Sequence, residues 1–141
     1  MSIRVRADWE GSLAVVVLEG LVTAAEFGEQ VVPLLARPEF NQMQLTLLDM
    51  SRATGTDSPS ENVRAYAREA ARHVDATVGT GARMALVAGT DEFFGLGRMY
   101  EMSRVGSSVE FNVFRDLAEA EQWLGLEKGY ESRLDDVVTG S

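Results

Sequence analysis

The sequence predicts an α/β domain built on a mixed, mostly parallel five-stranded sheet. Two observations indicate this class. Short apolar runs alternate along the chain with segments of helical periodicity, and the first two strand-like runs are too close together for a helix to connect them. The predicted order is ββαβαβαβα, with an antiparallel hairpin at the N-terminus. The chain has 141 residues, which fits one domain; we expect it over residues 1–125, followed by a polar C-terminal tail over residues 126–141.

Five segments carry the patterns of β-strands. Residues 3–9 alternate apolar and polar side chains, as expected for a strand with one face in water. The other four are more continuously apolar and suit interior strands. Because helical segments separate them, we predict that these four run parallel to one another. They are residues 13–18, 45–50, 83–88 and 109–114.

Four helices are predicted from their capping residues. Thr23, followed three residues later by a glutamate, forms a capping-box sequence that begins a helix over about residues 24–37, and a proline inside it predicts a kink or an early end. Ser58, directly before a proline, begins the second helix. The third is predicted over residues 93–105, and the fourth begins after Asp116.

One face of the predicted sheet has no helix to cover it, because right-handed crossovers place the principal helices on the opposite face. Thr46, Leu48, Ala85 and Val87 are too apolar for that second face to be fully wetted. We therefore expect it to be covered by a protein partner, a second copy of the chain or the C-terminal tail, and we predict a homodimer.

The composition argues against several classes of function. Thirteen basic and 22 acidic residues give a formal net charge of −9, which repels nucleic acid. The absence of cysteine excludes disulfides, thiolate nucleophiles and sulfur-ligated metals. The single histidine, His73, and the single lysine, Lys128, leave little material for a zinc site, a catalytic triad or a phosphate-binding loop. We expect no metal, no cofactor and no enzymatic activity.

The N-terminus and the hydropathy predict a cytoplasmic protein. Arg4 and Arg6 stand where a signal peptide would need its apolar stretch. No run approaches the ~20 apolar residues of a membrane span. We therefore expect neither a cleaved leader nor a membrane-spanning helix.

Three short motifs, taken with the order of elements, point to a family. Residues 49–51 read Asp-Met-Ser, residues 57–58 read Asp-Ser, and residues 113–116 read Val-Phe-Arg-Asp. The first two resemble, in type and spacing, the Asp-Leu-Ser and Asp-Ser-Ser-Gly signature of the STAS domain of bacterial anti-sigma factor antagonists. Within that family the chain resembles the SpoIIAA-like group of small bacterial proteins, over about residues 10–125.

The resemblance departs from the family at the residue that would carry a phosphate. In antagonists that work through a partner kinase, it implies phosphorylation of the second serine of Asp-Ser-Ser-Gly. That position is Pro59 here, so we expect no phosphoserine switch of the usual kind, and Ser58 and Ser60 remain as candidate phosphoacceptors. Ser58 also has a purely structural explanation as a helix N-cap.

The third helix is apolar around most of its circumference, more than one buried stripe needs. Packing in the core explains part of this excess. Methionines and aromatic side chains next to glycines also suit an adaptable groove or an oligomer contact. The SpoIIAA-like group resembles a lipid-carrying domain family in outline, which implies an apolar ligand beneath this helix as a second hypothesis.

The sequence thus predicts a non-enzymatic regulatory or protein-interaction module, with a small apolar-ligand or lipid-binding protein as the alternative. The expected contact surface combines the start of the second helix with the third helix. This prediction requires residues 51–60 and residues 90–102 to lie together at the same rim of the sheet. The expected contact residues are Asp57, Ser58, Ser60, Phe94, Met99 and Tyr100.

Overall fold

The computed structural model of the chain describes residues 1–57, 81–104 and 106–140. Within these residues six strands form one mixed sheet, in the spatial order β5-β4-β3-β2-β1-β6. Strands β2, β3, β4 and β5 run parallel to one another, and β1 is antiparallel to both β2 and β6. The strands are β1 (Ser2–Asp8), β2 (Leu13–Val22), β3 (Leu45–Thr56), β4 (Arg83–Ala88), β5 (Glu110–Phe114) and β6 (Asp136–Gly140).

In the described part of the chain three helical segments lie between these strands, and a 3₁₀ turn, Tyr130–Arg133, precedes β6. The predicted capping residues Thr23 and Asp116 are in place, and Thr90 caps the remaining segment. Each of these side chains accepts a hydrogen bond from a backbone amide of the first turn. The second predicted helix, which begins at Ser58, lies outside the described residues. The segments are α1 (Ala24–Glu26, a π-helical turn Phe27–Val31, then Val32–Leu35), α2 (Asp91–Ser103) and α3 (Leu117–Trp123).

The predicted α/β class, the mostly parallel sheet and the N-terminal antiparallel hairpin are confirmed, but the count of five strands is wrong. The sixth strand is β6, in the segment expected to be a loose polar tail. It pairs with β1, with Val138 opposite Val5. Only Val138 packs against the core, whereas Val137 is exposed, so this edge strand has too few apolar residues to show the alternation that marks a strand.

Strands β2 and β3 both extend further than their apolar runs. The strand predicted over residues 45–50 continues to Thr56, pairing with the second half of β2. Ala53 and Val22 are buried in this extension. One small buried residue among polar neighbours explains why the sequence pattern did not reveal a strand there.

The first face of the sheet packs against α1 and α2. Helix α2 approaches the sheet closely at Gly97, where an added Cβ atom would lie 2.7 Å from Cγ2 of Val113. Glycine is therefore required there by the close packing of helix on strand. The buried side chains of this core include Val5, Val16, Leu18, Val31, Leu34, Leu48, Leu86 and Phe93.

The second face is covered by α3 and by the chain that follows it. Ala85 and Val87 point to this face as predicted, whereas Leu48 belongs to the first face. Of the three covers considered, the C-terminal tail is therefore correct, together with α3. The homodimer was inferred from an uncovered face, and that reason no longer applies. The covering side chains are Ala120, Leu124, Leu126, Tyr130 and Leu134.

Candidate functional site

The carboxyl end of β4 lies beside Met50 of β3 and forms one rim of the sheet. The Asp49 carboxylate is buried and accepts hydrogen bonds from the Ser51 amide (3.0 Å) and the Ser51 hydroxyl (2.6 Å). Gly89 lies against Ser51 so closely that an added Cβ would be 2.3 Å from the Ser51 carbonyl oxygen. The Asp-Met-Ser motif therefore fixes the backbone of this rim, with its own serine as the partner of the buried acid.

Asp57 has a structural role at the start of α1. It is exposed, and its Oδ1 accepts a hydrogen bond of 2.7 Å from the amide of Ala24, the first residue of that helix. A carboxylate at this point also interacts favourably with the positive end of the helix. Ser58 and Ser60, the candidate phosphoacceptors beside it, lie outside the described residues.

Asp57, the described member of the first half of the predicted contact surface, lies beyond the rim at Ser51 and Gly89. Ser51 and Gly89 meet, as that prediction requires, but β3 runs on from Met50, which pairs with the last residue of β4. Asp57 follows this extension, seven residues beyond Met50 and up to about 23 Å further along the strand at ~3.3 Å per residue. It bonds there to the start of α1.

The three predicted contact residues of α2 lie at different levels along the helix, and all are half-buried. Phe94 is near the helix start, where the Arg115 guanidinium lies 4.2 Å from its ring centroid and also pairs with Asp91. Tyr100 is near the other end and meets the ring of Phe111 edge-on at 4.6 Å. These aromatic side chains mainly fix α2 to β5. Packing against β5 therefore accounts for much of the apolar surface that the sequence predicted around this helix.

The outward side of α2 carries the more exposed apolar surface. We define the α2 outward face as Gly95, Arg98, Met99 and Met102. Met102 is 72% exposed, and an added Cβ at Gly95 would have no atom within 4 Å, so the helix backbone is open there. The prediction omitted Met102. The signal for it was present in the sequence, because positions 95, 98, 99 and 102 share one side of a helix, opposite the buried pair 93 and 97.

A groove of about 430 Å³ runs beside β5 and is open to solvent. One of its walls comes from the end of α2 and the other from Trp123 of α3. Oε1 of Glu101 pairs with Arg98 at 3.3 Å, whereas Oε2 is buried and has no hydrogen-bond partner in the described structure. We call this space the β5 groove. Its principal lining residues are Glu101, Arg104, Glu110, Phe111, Asn112 and Trp123.

Charged and polar contacts hold the C-terminal segment on the second face. Arg6 donates to the Glu131 carboxylate at 2.6 Å and to Asp136 at 3.1 Å. Glu121, only 1% exposed, accepts from the amides of Gly129 (3.0 Å) and Glu131 (3.2 Å). These contacts satisfy the buried acids internally, so the cluster stabilises the fold.

Three groups in or beside the C-terminal segment have pKa values outside their ordinary range: Asp8, Tyr130 and Glu131. The hydrogen bond from the Tyr130 hydroxyl, assisted by the Gly11 amide, lowers the pKa of Asp8. The same bond raises the pKa of Tyr130. Burial raises the pKa of Glu131, although the nearby Arg6 opposes this change. The C-terminal segment is therefore the part of the described structure whose attachment depends most directly on pH.

Neither a metal-ligand cluster nor a membrane-spanning helix occurs in the described ranges. Residues 1–57, 81–104 and 106–140 contain no group of three or more acidic or histidine side chains that could hold a metal ion. No helix in the same ranges has the length and apolar character needed to cross a membrane.

Comparison with known proteins identifies the architecture. No family model matches the sequence, and no curated protein matches it either. A solved structure of an uncharacterized DUF3478-family protein from Shewanella loihica, described as having a SpoIIAA-like fold, is similar with a TM-score of 0.54. The match covers 86% of this chain and 91% of that chain at 18% sequence identity. The chain has a SpoIIAA-like fold.

The fold that the motifs implied is thereby confirmed. At this level of identity the likeness extends to the path of the chain and not to particular side chains. The SpoIIAA-like fold here carries a sixth strand and a second face closed by its own C-terminal segment. The accessible candidate surfaces among the described residues are therefore on the α2 side of the sheet and along β5.

Proposed function

We propose that this chain is a non-enzymatic interaction module of the STAS type, which regulates a protein partner by binding it. One observation carries the proposal: the α2 outward face presents Met102, 72% exposed, beside open backbone at Gly95. Burying a methionine side chain contributes about 1.5–3 kcal/mol, and methionine adapts its shape to a partner surface. The SpoIIAA-like fold supports the same class of function.

We propose further that binding does not depend on the phosphoserine switch of the family. The acceptor position is Pro59, which has no hydroxyl to modify. Asp57 bonds to the start of α1, so its carboxylate already has an intramolecular partner. Binding through α2 needs neither group.

Site-specific photocrosslinking tests the proposal. A photoreactive amino acid replaces Met102 in one variant and Leu21 in a matched control, since Leu21 is a second exposed apolar residue, 54% exposed, on β2. In cells of the source organism we expect one discrete protein adduct from position 102 and none from position 21. The Met102→Glu chain, added as a competitor without the photoreactive group, should fail to suppress formation of that adduct. Equal labelling from both positions, or no adduct from position 102, contradicts the proposal.

The alternative function is that of a small apolar-ligand or lipid-binding protein. The observation in its favour is the β5 groove, which includes Phe111 and Trp123. Charged and polar side chains share that lining, among them Glu101 and Arg104, and the groove is open to water, so we rank this function second. Native mass spectrometry of the purified chain distinguishes the two: we expect the bare polypeptide, and a retained lipid mass would favour the alternative.

A further inference from the structure

Strand β5 ends the sheet on one side, and its outer edge faces the β5 groove. Edge strands expose backbone hydrogen-bonding groups that pair readily with another chain. The β5 groove has walls on both sides of this edge, from Glu101 of α2 on the first face and from Trp123 of α3 on the second. An extended peptide laid along β5 would therefore contact side chains above and below its own backbone.

The direction of the backbone amides in β5 follows from its pairing with β4. The Glu110 amide donates to the Ala82 carbonyl at 2.9 Å, so it points toward β4. Because successive residues of a parallel strand point alternately to opposite neighbours, the Phe111 and Val113 amides point outward. The Val113 amide donates to Oδ1 of Asn112 at 3.0 Å. A single side chain of the same strand thus covers one of the outward donors.

Two acids and one arginine line this edge, so the charge of the lining is negative. Oε2 of Glu101 is buried without a hydrogen-bond partner among the described residues, and a donor that reached it would be stabilised. The Glu110 side chain is 64% exposed at the same groove and pairs with Arg83 only at 3.9 Å. The Arg104 guanidinium is already engaged, because it bonds to the Ser107 hydroxyl at 3.1 Å and lies over the Tyr100 ring. The groove therefore favours a cationic donor.

We propose that the outer edge of β5 docks an extended, basic peptide segment of a protein partner, which pairs with β5 as an added strand. Side chains of such a strand alternate between faces, so a lysine or arginine on one face would reach Glu101 and an apolar side chain on the other would meet Trp123. A second copy of the chain fits less well, since both copies carry a charge of −9. The inference rests on the proposed function, because it supplies a second contact for a protein partner.

Fluorescence anisotropy with short peptides tests this docking mode. The probe is a fluorescein-labelled peptide, VKVKVKV, which alternates apolar and basic residues. The first control, VEVEVEV, reverses the charge, and the second, VKVPVKV, keeps the charge but interrupts backbone pairing with a proline. We expect VKVKVKV to bind the full chain at least about tenfold more tightly than either control. Equal affinity for VKVPVKV would overturn the inference, because nonspecific attraction to the acidic chain would then explain binding.

Three variants locate the site. Glu101→Gln should weaken binding of VKVKVKV about tenfold, whereas Glu29→Gln, an exposed acid on α1, should change it less than twofold. Asn112→Val should strengthen binding several-fold, because it frees the Val113 amide for the peptide. Each variant is first shown by urea denaturation to be folded. An unchanged affinity for the folded Glu101→Gln and Asn112→Val proteins would overturn the proposed site.

Amide exchange separates this inference from the proposed function. Saturation with VKVKVKV should slow exchange of the Phe111 amide at least about tenfold, and no such protection would overturn docking at β5 even if position 102 still crosslinks a partner. Conversely, loss of crosslinking at position 102 with Phe111 still protected would refute only the contact through α2. If Asn112→Val dimerises through β5 and excludes the peptide, a second copy is the occupant and the inference is wrong.

Discussion

Replacement of Gly97 by alanine tests the packing of α2 on the sheet. Alanine favours the helix over glycine by about 1 kcal/mol, so an unhindered site would gain stability. At position 97 the new Cβ would lie 2.7 Å from Cγ2 of Val113 and 3.4 Å from Cδ2 of Leu86, and both neighbours belong to the buried core. Overpacking of a core costs about 1–3 kcal/mol. The two effects together predict a net loss of up to about 2 kcal/mol in the free energy of unfolding.

The same helix supplies the control. Gly95 has open space around its added Cβ, so Gly95→Ala should raise the free energy of unfolding by about 0.5–1 kcal/mol. Urea denaturation monitored by circular dichroism measures both variants. Adding Val113→Ala to Gly97→Ala should cost less than the sum of the two single losses, because the clash is removed. If Gly97→Ala is as stabilising as Gly95→Ala, helix α2 does not lie on β5 as described.

Three further predictions concern the rim and the C-terminal segment. Gly89→Ala should lower the free energy of unfolding by about 2 kcal/mol or more, since its Cβ would overlap the Ser51 carbonyl; an unchanged urea midpoint contradicts that contact. The raised pKa of Glu131 means that the folded chain holds this proton more tightly than the unfolded chain, so stability should fall as pH rises from about 4.5. In urea titrations between about pH 4.5 and 7, Glu131→Gln should reduce this loss of unfolding free energy. An equal loss in the variant and in the original chain would refute the assignment of the pH dependence to Glu131. Removal of the residues after Gly125 should cost about 3 kcal/mol or more and increase binding of a hydrophobic dye, because it uncovers the second face; unaltered dye binding would show that this segment covers little.

Much of the fold follows from local signals in the sequence. The caps at Thr23 and Asp116 and the apolar run of β4 depend on neighbouring residues alone, and the structure has them where they were predicted. The missed strands depend on distant partners. The extension of β3 forms because β2 continues beside it, and β6 forms because β1 offers a free edge. No local pattern can report a partner that lies elsewhere in the chain.

The candidate site was less predictable for the same reason. Phe94 and Tyr100 have the residue types expected of a contact surface, but Arg115 and Phe111 occupy one side of each. Which side of an apolar helix stays exposed is decided by the sheet beneath it. The β5 groove was also beyond sequence reasoning, because it joins residues of two helices across an edge strand. Helical periodicity alone could have singled out Met102.

Hydrogen–deuterium exchange of the complex with the partner captured at position 102 tests the central claim most directly. The claim is that the chain works by binding a protein on the α2 side and along β5. We expect slower exchange in α2 and β5 when the partner is bound, with unchanged exchange in Asp136–Gly140 of β6. Protection confined to β6 or to the second face, with α2 and β5 unaffected, would contradict the account.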